Sequence, residues 1–421
     1  MLSTALITDL YELTMAQSYL ENSKVGNAVF SLFVRKLPKN RNFLVSCGLE
    51  TLIDYLERFR FGDEELKYLK SLNIFKDSFL DYLKEYQFRG SLYAVPEGRI
   101  VFQNEPILQV EGPLPDVQIL ETLVINIIHF QTLSASKAVR SYLVSRGKSL
   151  IDFGLRRAHM PEAGLYAARA SYIAGFSGTS NLLAGMKFGV PVFGTMAHSF
   201  VMVFDEEIEA FRAFARSFPE RTVLLIDTYD TIEGAKKAAE LIKEGVKVVG
   251  VRLDSGNIEE LSKAVREIFD REGFRDVKIV VSGGVDEYDI DRWLSAGCPI
   301  DAFGVGTKFI TSEDAPYLDI AYKLVEYEGK PKYKLSPGKA TFPYKRQIIR
   351  HYSDGKMSYD QVVKYREGGL VEHVLSNGSL KKPLPTLKDI RELLMEELKT
   401  LPESLASLEK SDYRVDVESL T

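Results

Sequence analysis

Between Ser149 and Thr307 short β-branched runs alternate with helical segments, and this rhythm restricts the chain more than any other feature. The runs are SLIDF, PVFGTM, TVLLID, VKVVGVRLD, VKIVVSGG and IDAFGVG. Apolar runs of strand length separated by amphipathic helices imply βα units around a parallel sheet. The helices carry their own punctuation. In DTIEGAKKAAELIKEG, Asp230 or Thr231 is placed to cap the start and Gly245 to stop the end. NIEELSKAVREIFDREG, from Asn257 to Gly273, repeats the design. Polar residues recur at one end of the runs: Asp152, Asp227, Arg252 with Asp254, Ser282, then Gly304 to Thr307. A (β/α) barrel carries its chemistry at the carboxyl ends of its strands and suits this recurrence best, although a doubly wound sheet binds ligands at the same ends.

A chain of 421 residues exceeds the size at which one core stops growing, which predicts two lobes. Phe88 to Glu111 mixes β-rich runs with PEG and NEP turns and reads as a small antiparallel sheet. GPLPD, Gly112 to Asp116, punctuates the chain before a long apolar helix and marks a boundary. From about Tyr322 strand-like text and the basic loop SPGKATFPYKRQ return, able to pair with the first lobe. The last forty residues or so, rich in Lys, Glu and Leu, read as a helical surface tail.

Composition excludes several classes. A net charge of −5 and a pI near 5.8 argue against a nucleic-acid or polybasic membrane binder, because both depend on attraction to phosphate. Cys47 and Cys298 stand alone, so neither a zinc module nor a disulfide framework is expected, and a reducing cytoplasm fits. MLSTALITDLYELTMAQ has no signal-peptide pattern. Ile119 to Leu133 is interrupted by polar residues and predicts a buried helix instead of a membrane span.

Several motifs carry chemistry. VSGGV and FGVGT set glycines directly after apolar strands, where backbone N–H groups can approach a phosphate, with tight turns as the bland alternative. DFGLRRAH places two arginines just beyond a strand, and GVRLDSGN puts Arg252 and Asp254 on one strand face. That set suits an anionic substrate with hydrated Mg²⁺, or else an internal salt bridge. GTMAHSF makes His198, one of five histidines, a candidate for acid/base or nucleophilic work against the commoner structural role. TDLYELT offers Tyr11 for stacking on an aromatic ligand, or a packing helix.

Taken in order, TDLYELTMAQ, FGLRRA, GTSN, GTMAHSF, LLIDTYDT, RLDSG, VSGG and FGVGT resemble the nicotinate phosphoribosyltransferase family over roughly Thr8 to Gln347. The resemblance implies an α/β fold: an incomplete (β/α) TIM-like barrel over 117–324, and an α/β sandwich built from both chain ends, 1–116 with 325–421 and its tail. It further implies a homodimer with shared active sites, acting in the cytoplasm on nicotinate and phosphoribosyl pyrophosphate with Mg²⁺ and with ATP as co-substrate. By matched motif, Tyr11 from the neighbouring subunit would stack on nicotinate beside Asp9, and Phe153 would cover the other face. Arg156 and Arg252 would hold carboxylate and phosphates, within a pocket that includes Thr179 and Ser180. Asp254, also the Mg²⁺ ligand, and Asp227 would face the ribose. Ser282, Gly283, Gly284, Gly304, Gly306 and Thr307 would grip the 5′-phosphate. Lys339, Lys345 and Arg346 look like pyrophosphate contacts, and His198 matches the histidine that the family phosphorylates with ATP.

Asn257 departs from the aspartate that commonly follows LDSG in the family, and no cysteine-rich zinc segment is present. Among rivals, the nicotinamide enzymes resemble one another in an aspartate where Ser180 stands, a charge that would repel nicotinate. Quinolinate phosphoribosyltransferase lacks the TDLYELT start. A phosphosugar isomerase or Schiff-base aldolase fits the glycine loops, but its lysine would have to be Lys308, after the loop. A non-catalytic nucleotide sensor would be expected to lose His198 or Asp254, and both are present.

Overall fold

The computed structural model describes residues 5–334 and 342–419 and divides the chain into two compact units. The first comprises residues 1–136 and 317–421, the second residues 137–316. The division falls inside the long helix Glu121–Val144, not at the GPLPD turn before it. The second crossing, at 316/317, comes ahead of the strand Ile320–Tyr327, since that strand pairs antiparallel with Asn27–Val34.

The first unit is built on a seven-stranded antiparallel sheet. Within it the strand Asn27–Val34 lies between Ile320–Tyr327 and Leu108–Pro113. NAVFSLFV is buried from Ala28 onward because both sheet faces are covered, so it reads as a continuous apolar run without alternation. Phe30 stacks on Tyr322 with ring centroids 4.8 Å apart. The antiparallel pair Ser91–Ala94 and Leu108–Pro113 falls where the PEG and NEP turns place it. The chain's last segment is no surface tail. Ile390 and Leu394 of the helix Leu387–Lys399 are buried, and Arg414–Val417 adds a parallel strand to Lys356–Lys364. The cause is a buried ion network: Arg350 forks onto Asp360, reaches Glu397 of that helix, and donates to the Ile100 carbonyl.

The second unit carries a six-stranded parallel sheet. Its order is Gly178–Thr179, Ser149–Asp152, Ala302–Val305, Lys278–Val281, Gly250–Leu253, Val223–Leu225. The unit's first strand thus lies beside its last. PVFGTM forms no strand and contributes one bridge, Val192 to Thr179. Helices follow the strands as the caps dictate: Asp230 accepts from the Glu233 N–H at 2.8 Å, and Gly245 adopts φ +88°. Among the described residues no helix is long and apolar enough to cross a membrane.

Candidate active site

Every strand-end residue singled out in the second unit sits at the carboxyl end of its strand or in the turn that follows. Parallel register puts these ends at one rim of the sheet. Arg252 is the central cation. Its Nη2 donates to the Met196 carbonyl at 2.7 Å, while Nη1 stands 3.5 Å from Ser282 Oγ and 3.7 Å from Asp254 Oδ1. Burial pulls the guanidinium below its ordinary range, partly opposed by Asp254 and Asp227 and reinforced by the like charge of Arg156. Arg156 itself is exposed on the short turn Leu155–Arg157. Guanidinium groups that feel one another's charge suit an anionic ligand.

The carboxylates form a second layer. Ser282 Oγ donates to Asp254 Oδ1 at 2.5 Å, and Asp227 Oδ2 accepts from the Asp254 N–H and the Ser255 hydroxyl, both at 2.8 Å. Among the described residues, the buried Asp227 Oδ1 and Arg252 Nε have no hydrogen-bond partner. A native fold rarely leaves such atoms unmatched, so they mark where a ligand belongs. No cluster of three or more His, Cys, Asp or Glu gathers there among the described residues. That donor set fits Mg²⁺, which takes one or two carboxylates and completes its shell with water and substrate phosphate.

The glycines serve close approach. A Cβ on Gly283, at φ +88°, would lie 1.8 Å from the Asp254 carbonyl oxygen, so only glycine lets the two turns touch. A Cβ on Gly304 would meet the Phe153 ring at 2.4 Å. Gly304 is therefore what allows Phe153 to lie over the strand end. Gly284 is open, and Gly306 precedes Thr307 at the start of a short helical turn.

His198 begins the turn His198–Met202, with Nδ1 3.1 Å from Thr228 Oγ1. Thr179 is fully buried, and its hydroxyl donates to Asp152 Oδ2 at 2.7 Å. Ser180, beside it, is partly exposed. Asp152 and Thr228 are the residues whose roles the sequence did not reveal. Asp152 stood out as a strand-end acid, but its work, tying Thr179 and the Gly154 N–H together, needs contacts between separate strands. Burial pushes its carboxyl up to about 6 against those two hydrogen bonds. Asn257 caps its helix by accepting from the Glu260 N–H.

In the first unit, Tyr11 is 45% exposed and Asp9 is exposed at the start of the helix Leu10–Glu21. Of the late basic residues, Arg346 differs from expectation. Arg346 is buried and donates to the carbonyls of Pro343 and Glu418, which leaves it in a structural role. Lys345 pairs with Glu111 at 2.8 Å and lies over the Tyr93 ring. Lys339 lies outside the described residues.

Family models for the N-terminal domain of nicotinate phosphoribosyltransferase and for the nicotinate phosphoribosyltransferase family match residues 6–129 and 148–355. A nicotinate phosphoribosyltransferase of Mycobacterium tuberculosis is 45% identical over 98% of this chain and 91% of its own. One from Bacillus subtilis is 37% identical over 99% and 93%. The crystal structure of human nicotinic acid phosphoribosyltransferase superposes with a TM-score of 0.88 at 28% identity, covering 97% of both chains. Fold, loops and relatives together define the class, the phosphoribosyltransferases. Within it, the chain belongs to the nicotinate phosphoribosyltransferase family.

Proposed function

We propose that this chain transfers the phosphoribosyl group of phosphoribosyl pyrophosphate to nicotinate, releasing pyrophosphate and forming nicotinate mononucleotide for NAD salvage. The observation that carries the reading is the cationic and carboxylate rim in a member of this family: Arg252 with its unmatched Nε, Asp227 with its unmatched Oδ1, and Asp254 between them. Breaking the anomeric C–O bond builds an oxocarbenium-like centre and a departing polyanion. The work required is positioning and charge neutralisation, with no general base. Arg156 and Arg252 hold the nicotinate carboxylate and substrate phosphates. Ser282, Gly283 and Gly284, with Gly304, Gly306 and Thr307, grip the 5′-phosphate by backbone N–H and hydroxyl groups. Asp254 and Asp227 would hold Mg²⁺, and the chemistry the ion supplies when bound is neutralisation of the departing pyrophosphate.

ATP enters as a second substrate. The His198 ring attacks the γ-phosphorus, an N–P bond forms as the bridging P–O bond breaks, ADP leaves, and the phosphohistidine favours synthesis. The parallel strands read as an incomplete barrel, supported by the pairing of the unit's first strand with its last. The first unit reads as an α/β sandwich. A homodimer is supported by exposed apolar side chains: Leu182 is 76% exposed, Met186 81% and Val203 81%. In it, Tyr11 and Asp9 complete the neighbour's site opposite Phe153, and Lys345 approaches the pyrophosphate. The cytoplasm is the compartment proposed.

The Schiff-base alternative is disfavoured. Burial pulls Lys308 down, but Asp286 at 2.6 Å and Asp289 outweigh it and keep the ammonium above its usual range. A Schiff-base lysine needs the opposite shift. The test measures pyrophosphate release with nicotinate, nicotinamide and quinolinate side by side. Nicotinate should exceed nicotinamide by about 100-fold in kcat/KM, about 2.7 kcal/mol of discrimination. Comparable values for the two overturn the reading.

A further inference from the structure

Two carboxyl groups at the start of the helix Leu10–Glu21 meet a single hydroxyl. Thr122 Oγ1 lies 2.6 Å from Asp9 Oδ2 and 2.5 Å from Glu12 Oε1. The Thr122 N–H also donates to Glu12 Oε1 at 2.9 Å, and the Thr8 hydroxyl donates to Glu12 Oε2 at 2.5 Å. A threonine hydroxyl has one hydrogen to give. With both carboxyls ionised, one of the short contacts would set a carboxylate oxygen against an oxygen lone pair. The arrangement therefore requires one more proton.

Glu12 is the group that holds it, because Glu12 is fully buried while Asp9 is exposed to water. Burial pushes the Glu12 carboxyl up to about 7, against the hydrogen bonds from Thr122 and Thr8. The titratable and charged groups around it are Asp9 and Tyr11 on its own helix, Glu121 at the start of the Glu121–Val144 helix, and Tyr322 and Lys323 on the Ile320–Tyr327 strand. Lys323 faces Glu121 at 3.7 Å, and Glu121 adds to the pressure on Glu12.

We propose that Glu12 and Thr122 are positioning residues, in which a proton on Glu12 orders the chain Glu12 O–H to Thr122 Oγ1 and Thr122 O–H to Asp9 Oδ2. This fixes the Asp9 carboxyl and the adjoining Tyr11 ring in the pose that meets the pyridine base. The inference rests on the reading of Asp9 and Tyr11 as base contacts given above. When the proton is lost, two carboxylates compete for one hydrogen and the first turn of the helix loosens.

Two measurements test it. In the first, KM for nicotinate in the wild-type enzyme should rise about tenfold as pH passes from about 6 to about 8, while KM for phosphoribosyl pyrophosphate stays level. Glu12→Gln carries no titratable proton, so it should keep its turnover and lose the rise. Thr122→Val should show a KM for nicotinate raised about tenfold at every pH with little change in kcat, and Thr122→Ser should restore it. A merely structural role would lower thermal stability in these variants and leave the KM profile intact, which overturns the proposal. In the second, infrared difference spectra should contain a protonated-carboxyl band that titrates near pH 7 in the wild type and is missing from Glu12→Gln, whichever base the enzyme takes. A wild type without that band, or a KM rise that persists in Glu12→Gln, also overturns it. If the band titrates and nicotinate is not turned over, the proposed function is what fails, and it takes the kinetic half of this proposal with it.

Discussion

His198 illustrates what a single residue can and cannot reveal. GTMAHSF places it at the end of an apolar run, but the hydroxyl 3.1 Å from its Nδ1 belongs to Thr228, thirty residues away beyond another strand. Imidazole is a competent phosphoryl acceptor at neutral pH. Incubation with γ-labelled ATP and Mg²⁺ should give an acid-labile, base-stable adduct that His198→Ala does not form. The same variant should retain some nicotinate mononucleotide synthesis without ATP, because ribosyl transfer needs only binding and leaving-group stabilisation. Full labelling of His198→Ala would place the acceptor elsewhere. Arg346 makes the converse point. A basic loop looks like a phosphate grip in sequence, yet its guanidinium is spent on the Pro343 and Glu418 carbonyls. Charge is written in a sequence, but the direction in which it points is not.

At the level of elements, the helices with capping residues and the β-branched strands are legible because their causes are local: Asp230, Asn257 and Gly245 act where they stand. PVFGTM misleads for the same reason, since its β-branched start has a neighbour to pair with only at Val192. Asp152 joins the Ser149–Asp152 strand to the Gly178–Thr179 strand through the Thr179 hydroxyl, and burial raises its carboxyl to about 6. A carboxyl raised in the folded state contributes stability that is full below its unfolded value of 3.8 and is lost as pH rises through about 6. Asp152→Asn does not titrate. Between about pH 4 and pH 6 the wild type should therefore lose up to about 3 kcal/mol relative to the variant, as read from denaturant unfolding at each pH. A difference that stays constant across that range would show that Asp152 does not titrate as inferred.

For the whole molecule, the exposed Leu182, Met186 and Val203 and the half-exposed Tyr11 leave surfaces that one chain does not cover. The proposed completion of the site across a dimer predicts complementation. Tyr11→Ala and Arg252→Ala should each lower kcat/KM by about 100-fold or more. Subunit exchange between them should restore activity toward one intact site per hybrid dimer. No recovery despite demonstrated exchange would put both residues in one subunit's site. The alternation of runs and helices, the strand-end arginine, aspartates and glycines, and the ordered motifs of the family were determined by the sequence alone, because each depends on residues near one another in the chain. Only the tertiary structure decided that the chain divides inside the Glu121–Val144 helix, that the last residues are bound in by Arg350, and that Asp227 and Arg252 keep unmatched atoms at the rim. The physical reason is that burial and hydrogen-bond pairing are settled between segments far apart in sequence, and no local pattern records which of them will meet.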